Sequence, residues 1–312
     1  MKSNVIQRYM RSGFFLSDGA IALWSPSLGA NLHKEFKKSN VCVGDVGFFT
    51  KQGGFLVLFN IFLSVEANID LDFDPPPDLE PYPACFREDV SIVSMIRRSS
   101  YRHCDGAFLQ SDLAPDSPRF DWSSSYCVHS LMSFRTYFAS YRLQVPTTRK
   151  KKDVQRWGSV LDLPYGTWKD EMHPRMMSGL QLYIKRHAND WYLYYRMHPS
   201  GSTIPDGALK VVTSSYKCRT WALASCSTDS SNEIFAQLYK TSNSDIYYDW
   251  AKSDPVDGKT GPVAEETEED EGELPNQCIA VEVCSFEDLS SKSKTARLVQ
   301  SVSNLFGDRG RR

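Results

Sequence analysis

Residues 41–65 read VCVGDVGFFT (41–50), KQGG (51–54) and FLVLFNIFLSV (55–65). Val41 to Thr50 and Phe55 to Val65 are rich in β-branched and aromatic residues, which suit a pleated, half-buried surface. The four residues between the runs include Gly53 and Gly54. Two apolar runs joined by a short glycine-containing loop predict a β-hairpin. The second run is apolar at almost every position, so it reads as a central strand covered on both faces.

Outward from the hairpin, strand signals dominate. Ala20 to Trp24 (AIALW) is a short strand closed by Pro26. Residues 90–96, 158–163, 208–213, 220–225, 234–239, 245–250 and 278–286 give further strands, bounded by Gly, Pro, Ser and Asn. Residues 126–145 fit both periods and are read as strand on their β-branched and aromatic content. Residues 70–83 hold five prolines, which fix φ and remove donors, so an exposed loop or polyproline segment is expected. One helix is marked clearly. Met177, Leu180, Ile184, Ala188, Trp191 and Tyr195 recur at intervals of 3, 4, 4, 3 and 4, the stripe of an amphipathic helix. Pro174 stands ahead of it, as suits a helix start. Lys185, Arg186, Asn189 and Asp190 lie on its wet side. The pattern predicts an α+β fold, mainly antiparallel sheet, with one well-defined helix at 176–196.

The 312 residues carry a net charge of −2, which argues against a general nucleic-acid binder. Seven of the nine residues from Glu265 to Glu273 (EETEEDEGE) are acidic, and without them the remainder carries +5. The expected organisation is a flexible N-terminus at 1–13 and a single domain at 14–286. That domain carries a disordered acidic insertion at 253–276, which has too little apolar surface to order itself. A basic tail at 287–312 follows, with a possible short helix in Lys294 to Phe306. Eight cysteines without a CxxC pair do not make a secreted disulfide scaffold. Asp18 interrupts the early apolar run, so no signal peptide is read. Phe55 to Val65 is about half of the ~20 residues that span a bilayer. A cytoplasmic protein with free thiols is expected, with nuclear entry through Arg149-Lys-Lys-Lys152 as an alternative.

The candidate sites are short. Gly44-Asp45-Val46-Gly47 would place a carboxylate at a strand end as an acid or ligand. The plainer reading is a bulge or tight backbone approach, with Asp45 bonded to nearby amides. His103-Cys104 and Cys127-Val-His129 supply four soft ligands, but the adjacent pair does not match zinc spacing, so no metal and no cofactor are expected. His187 and Trp191, four apart on the helix, would share a face as a binding pair. The alternative places Trp191 in the core and His187 at its boundary. There is no GxSxG, P-loop, GxGxxG or HExxH.

Several blocks together resemble a large family of proteins of mushroom-forming fungi for which no activity is established. They are GAIALWSP (19–26), VGDVGFFTKQGGFLVLFNI (43–61), GSVLDLPYGT (158–167), GLQLYIKRHANDWYLYYR (179–196), GALKVVTSSYKCRTWALAS (207–225) and NQCIAVE (276–282). The resemblance implies one continuous unit from about 14 to 286. The chain departs from the family at one strand, usually Leu-Tyr-Leu-Val-Thr-Gly-Cys-Asp-Lys. Here Ser214, Ser215 and Tyr216 replace the Gly, Cys and Asp.

Three functions follow as expectations. The first is a non-enzymatic interaction module with a protein partner and no nucleic-acid signal. The second is a hydrolase or transferase using Asp45 with a nearby Cys or His, His103 and His129 being the candidates. The third is a membrane-acting or self-assembling defence-type protein, using the 55–65 strand or the tail, with the tail as the membrane contact.

Overall fold

The structure is a computed structural model that describes residues 6–7, 9–10, 19–26, 40–82, 96–101, 108–111, 121–126, 138–144, 156–163, 167–197, 204, 208–228, 234–240, 248–252, 256–261 and 277–285. The first strands are β1 (Ala20–Ala22), β2 (Asp45–Phe49), β3 (Phe55–Asn60), β4 (Ile96–Tyr101) and β5 (Phe108–Ser111). They are followed by β6 (Asp121–Tyr126), β7 (Phe138–Gln144), β8 (Arg156–Asp162), β9 (Thr167–Met172) and β10 (Lys210–Cys218). The last are β11 (Trp221–Thr228), β12 (Ile234–Lys240), β13 (Tyr248–Lys252), β14 (Val256–Gly261) and β15 (Gln277–Ser285). With them come α1 (Val65–Ile69) and α2 (Met177–Met197), the second preceded by a 3-10 turn at Pro174–Met176. The fold is α+β with sheet dominant, as the residue pattern predicts.

The chain forms two compact units. One comprises Met1–Ser12, Tyr101–Thr167 and Cys218–Gln277; the other comprises Gly13–Ser100, Trp168–Lys217 and Cys278–Arg312. The first unit carries two four-stranded sheets, ordered β14-β11-β8-β5 and β13-β12-β7-β6, with antiparallel neighbours. Tyr9 and Met10 are buried within it, although the N-terminal stretch is polar enough to predict disorder. Val256–Gly261 is also a strand, where the acidic insertion was expected to be disordered. The indole of Trp250 lies against Gly258 and that of Trp221 against Gly261. Trp250 Nε1 also donates to Lys259 O at 3.1 Å. Two aromatic faces thus cover a strand poor in apolar side chains of its own. Residues 262–276, with the acidic run, lie outside the described residues.

The second unit holds a seven-stranded sheet ordered β1-β15-β10-β2-β3, with β9 also paired to β10 and β4 to β9. β10 divides its register. Lys210 and Val211 pair with Gly47 and Val46 of β2, while Ser214 to Lys217 pair with Glu171 to Trp168 of β9. The hairpin forms as predicted over 45–60, with its turn closed by Thr50 N to Gly54 O at 2.9 Å. Its second run differs from expectation. The strand stops at Asn60, a turn follows, and Ser64 caps α1 by accepting from Ala67 N at 3.2 Å. β3 is an edge strand in the described sheet and not a central one. Phe59 is buried with Val46 in the core against α2, and Phe55, on the other face because the register shifts between Val46 and Gly47, is buried against Phe49, while Leu56 is 43% exposed. Apolar content at every position does not by itself place a strand at the centre of its sheet.

The core of this unit lies between the sheet and α2. Val46, Phe59, Val211 and Leu209 pack with Leu180, Tyr183, Ile184, Trp191 and Tyr195. The Phe59 and Trp191 rings meet edge to face at 5.2 Å, a favourable aromatic geometry. The helix starts where Pro174 allows, with His173 Nδ1 accepting from Arg175 N at 3.3 Å. The proline-rich stretch 70–81 has no helix or strand, but it is not an exposed loop throughout. Pro75, Pro76, Leu79 and Tyr82 are buried. Tyr195 Oη donates to Asp74 O at 2.6 Å, Tyr183 Oη to Glu80 O, and Tyr82 Oη to Met176 O at 3.0 Å. Tyrosines on α2 thereby take up the backbone carbonyls that prolines cannot pair.

Candidate functional site

The Gly44–Gly47 motif lies where β2 leaves a tight turn. Asn40 adopts a positive φ of 51° and Gly44 one of 90°, conformations that Asn tolerates and Gly takes freely. A Cβ on Gly44 would come within 2.5 Å of the Phe62 ring, and one on Gly47 within 2.0 Å of Leu56 O. The register shifts between Val46 and Gly47. Both glycines therefore serve close backbone approach at a bulge.

Asp45 is 2% exposed. Its Oδ2 accepts from Cys42 N at 2.7 Å and its Oδ1 from Asn60 Nδ2 at 2.7 Å. Asn60 completes the latch. Its Oδ1 accepts from Phe62 N at 2.8 Å, and its backbone N donates to Asn68 Oδ1 at 2.7 Å. Burial pushes the Asp45 carboxyl up to about 7, against the bonds from Cys42 and Asn60 and the charge of Lys217. The carboxylate thus ties the turn to both ends of the hairpin.

A cation and two thiols adjoin this latch. Lys217, 6% exposed, donates from Nζ to Cys42 Sγ at 3.2 Å. Cys42 Sγ lies 3.2 Å from Asn40 O, to which its thiol donates. Burial works against the Lys217 charge, but Cys42, Cys278 and Asp170 outweigh it and hold the ammonium above its ordinary range. Burial pushes the Cys278 thiol up to about 12, opposed by Lys217 and reinforced by Cys42 and Asp45. Nothing in the sequence pattern marks Lys217, because its partner lies 175 residues away.

A second polar cluster joins β9, β10 and β15. Glu282 accepts from Tyr216 Oη at 2.7 Å and from Ser214 Oγ at 3.0 Å. Lys169 Nζ lies 3.1 Å from Glu282 Oε1 and 2.9 Å from Glu171 Oε2. Ser214 and Tyr216 therefore anchor one carboxylate. Ser215 between them is fully buried, and its hydroxyl has no hydrogen-bond partner.

His187 and Trp191 do meet on one helix face, stacked at 5.9 Å and 14°. Trp191 belongs to the core, and His187 sits half-buried at its boundary, 4.6 Å from the Tyr183 ring. His103, His129, Cys104, Cys127, the Arg149–Lys152 cluster and the tail lie outside the described residues. Among the described residues no three His, Cys, Asp or Glu side chains are grouped to hold a metal ion. Among them too, no helix is long and apolar enough to cross a membrane.

No family model matches the sequence, and no curated protein matches it. The cryo-EM structure of the gasdermin A3 membrane pore is similar over 90% of this chain and 89% of that chain, at 8% sequence identity and a TM-score of 0.24. A likeness of that degree bears on neither fold nor activity.

Proposed function

We propose that the chain is an interaction module that takes an extended segment of a protein partner along β3. The observation that carries this reading is the character of that edge. Phe55-Leu-Val-Leu-Phe-Asn60 has no charge and no proline, and β3 ends its sheet with no strand beyond it among the described residues. Proteins usually guard an edge with charge, proline or a covering element. An unguarded apolar edge suits strand addition, in which main-chain bonds give affinity and alternate side chains give specificity. The test is a displayed library of extended peptides panned against the full chain. Peptides of alternating apolar residues should be selected, protect β3 amides from hydrogen exchange, and lose binding to a Leu56→Lys chain. Selected peptides that protect other amides, or bind that variant equally, would refute the reading.

The exposed face of α2 favours a second reading, contact with an anionic lipid surface. Leu182 is 68% exposed and Met197 76%, and Leu193 is exposed with them. Lys185, Arg186 and Arg196 are exposed on the same helix against a single acid there, Asp190. Apolar side chains among basic ones suit an interfacial helix. The full chain should float with phosphatidylserine vesicles and not with neutral ones, and Leu182→Glu with Arg186→Glu should abolish flotation. Equal flotation of the double variant would refute it.

A further inference from the structure

We propose that Cys42 is a peroxide-oxidisable thiol whose reaction is set up by the Lys217 ammonium. Two observations place this pair, and a third marks the strand face that carries Lys217. Cys42 is partly exposed and outside any disulfide, whereas Cys218, Cys278 and Cys284 are buried. Lys217 is buried, so its charge is poorly screened, and its Nζ lies 3.2 Å from the sulfur. Ser215, two residues before Lys217 and on the same face of β10 by strand alternation, buries a hydroxyl with no hydrogen-bond partner. Reactive cysteines sit in electropositive, partly exposed surroundings of this kind. Asp45, Asp170 and Cys278 are titratable groups coupled to this pair.

The substrate class is a small hydroperoxide. The Cys42 thiolate attacks one peroxide oxygen and the O–O bond breaks. The sulfur is oxidised to sulfenic acid while the peroxide is reduced. Lys217 gives a proton to the departing oxygen, so hydrogen peroxide yields one sulfenic acid, one water and a neutral amine that solvent reprotonates. Larger peroxides yield the corresponding alcohol. The added oxygen sits where the thiol now donates to Asn40 O, so oxidation also loads the turn that Asp45 latches.

The test uses the full, reduced chain. Substoichiometric hydrogen peroxide is added with dimedone, a trap for sulfenic acid, and the adduct is mapped by peptide mass spectrometry. Cys42 should carry most of the adduct, ahead of the chain's seven other cysteines. Lys217→Met should slow its labelling about tenfold at pH 7, and Lys217→Arg should keep it within about threefold. If the Met variant does not fold, the pH profile of Cys42 alkylation in the native chain decides. A rate that holds from pH 8 down to 6.5 supports the proposal. A rate that falls about tenfold per unit, as for a free thiol with a pKa of about 8.5, overturns it. So would preferential labelling of another cysteine.

Discussion

At the scale of single residues, the hairpin depends on what it leaves out as much as on what it contains. Gly47 faces Leu56 O so closely that a methyl group cannot enter without moving backbone. Gly47→Ala should cost about 3 kcal/mol in urea unfolding, the upper end for overpacking. A loss under 1 kcal/mol would mean that the bulge yields. Asp45 gives a prediction in pH. Burial holds its proton up to about 7, whereas an unfolded aspartate releases it near pH 4. The fold thus gains from this group a stability that is complete below about pH 4 and is lost as pH rises through 7. Urea titrations of the native chain and of Asp45→Asn should diverge accordingly. Between pH 4.5 and 7.5 the native chain should lose stability relative to the variant, and a constant difference would count against the shift. Part of this site was legible beforehand. The predicted runs 41–50 and 55–65, paired across their four-residue loop, bring residues 45 and 60 together by antiparallel register. Lys217 was not legible, because no local pattern encodes a contact across 175 residues.

At the scale of elements, α2 was readable because its information is local. Six apolar residues at helical spacing define the buried face without reference to anything else in the chain. The partner surface was less readable. Residues 70–82 look like a solvated loop because their prolines exclude regular structure. Two tyrosine hydroxyls on α2 supply pairing that a helix or strand would have made, and Tyr82 of the stretch itself donates to Met176 O. This predicts an asymmetry among neighbouring tyrosines. Tyr195→Phe and Tyr183→Phe should each cost about 1 kcal/mol and should speed limited proteolysis within 70–82. Tyr194 also donates to Asp74, to Oδ1 at 3.0 Å, but that bond is exposed. Tyr194→Phe should therefore stay within about 0.5 kcal/mol with unchanged cleavage. Equal effects at 194 and 195 would mean that the backbone carbonyl is not what holds the stretch. The edge position of β3 was likewise hidden. Whether an apolar run sits at the centre or the edge of its sheet depends on strand order, and strand order is fixed by pairings distant in sequence.

At the scale of the whole molecule, each compact unit is assembled from three separate stretches of chain. The seven-stranded sheet shows the consequence. β15 lies between β1 and β10, yet it is the last strand described. Ala20 to Ala22 pair with Glu282 to Ala280 and, among the described residues, with no earlier strand. The sheet cannot complete itself until the chain past residue 277 is available. Loop closure of that length is costly and slow, and folds dominated by such contacts fold slowly. The strongly alternating run CIAVEVCS therefore acts as a keystone more than as a terminal decoration. All nine residues of β15 are buried or half-buried. A chain ending at residue 276 loses that strand together with the Glu282 carboxylate that Ser214, Tyr216 and Lys169 share. It should show no cooperative urea transition by tryptophan fluorescence, and its Cys42 should alkylate at the rate of a free thiol. A truncated chain that still unfolds cooperatively, with native amplitude, would mean that β1 and β10 close the sheet without the strand between them.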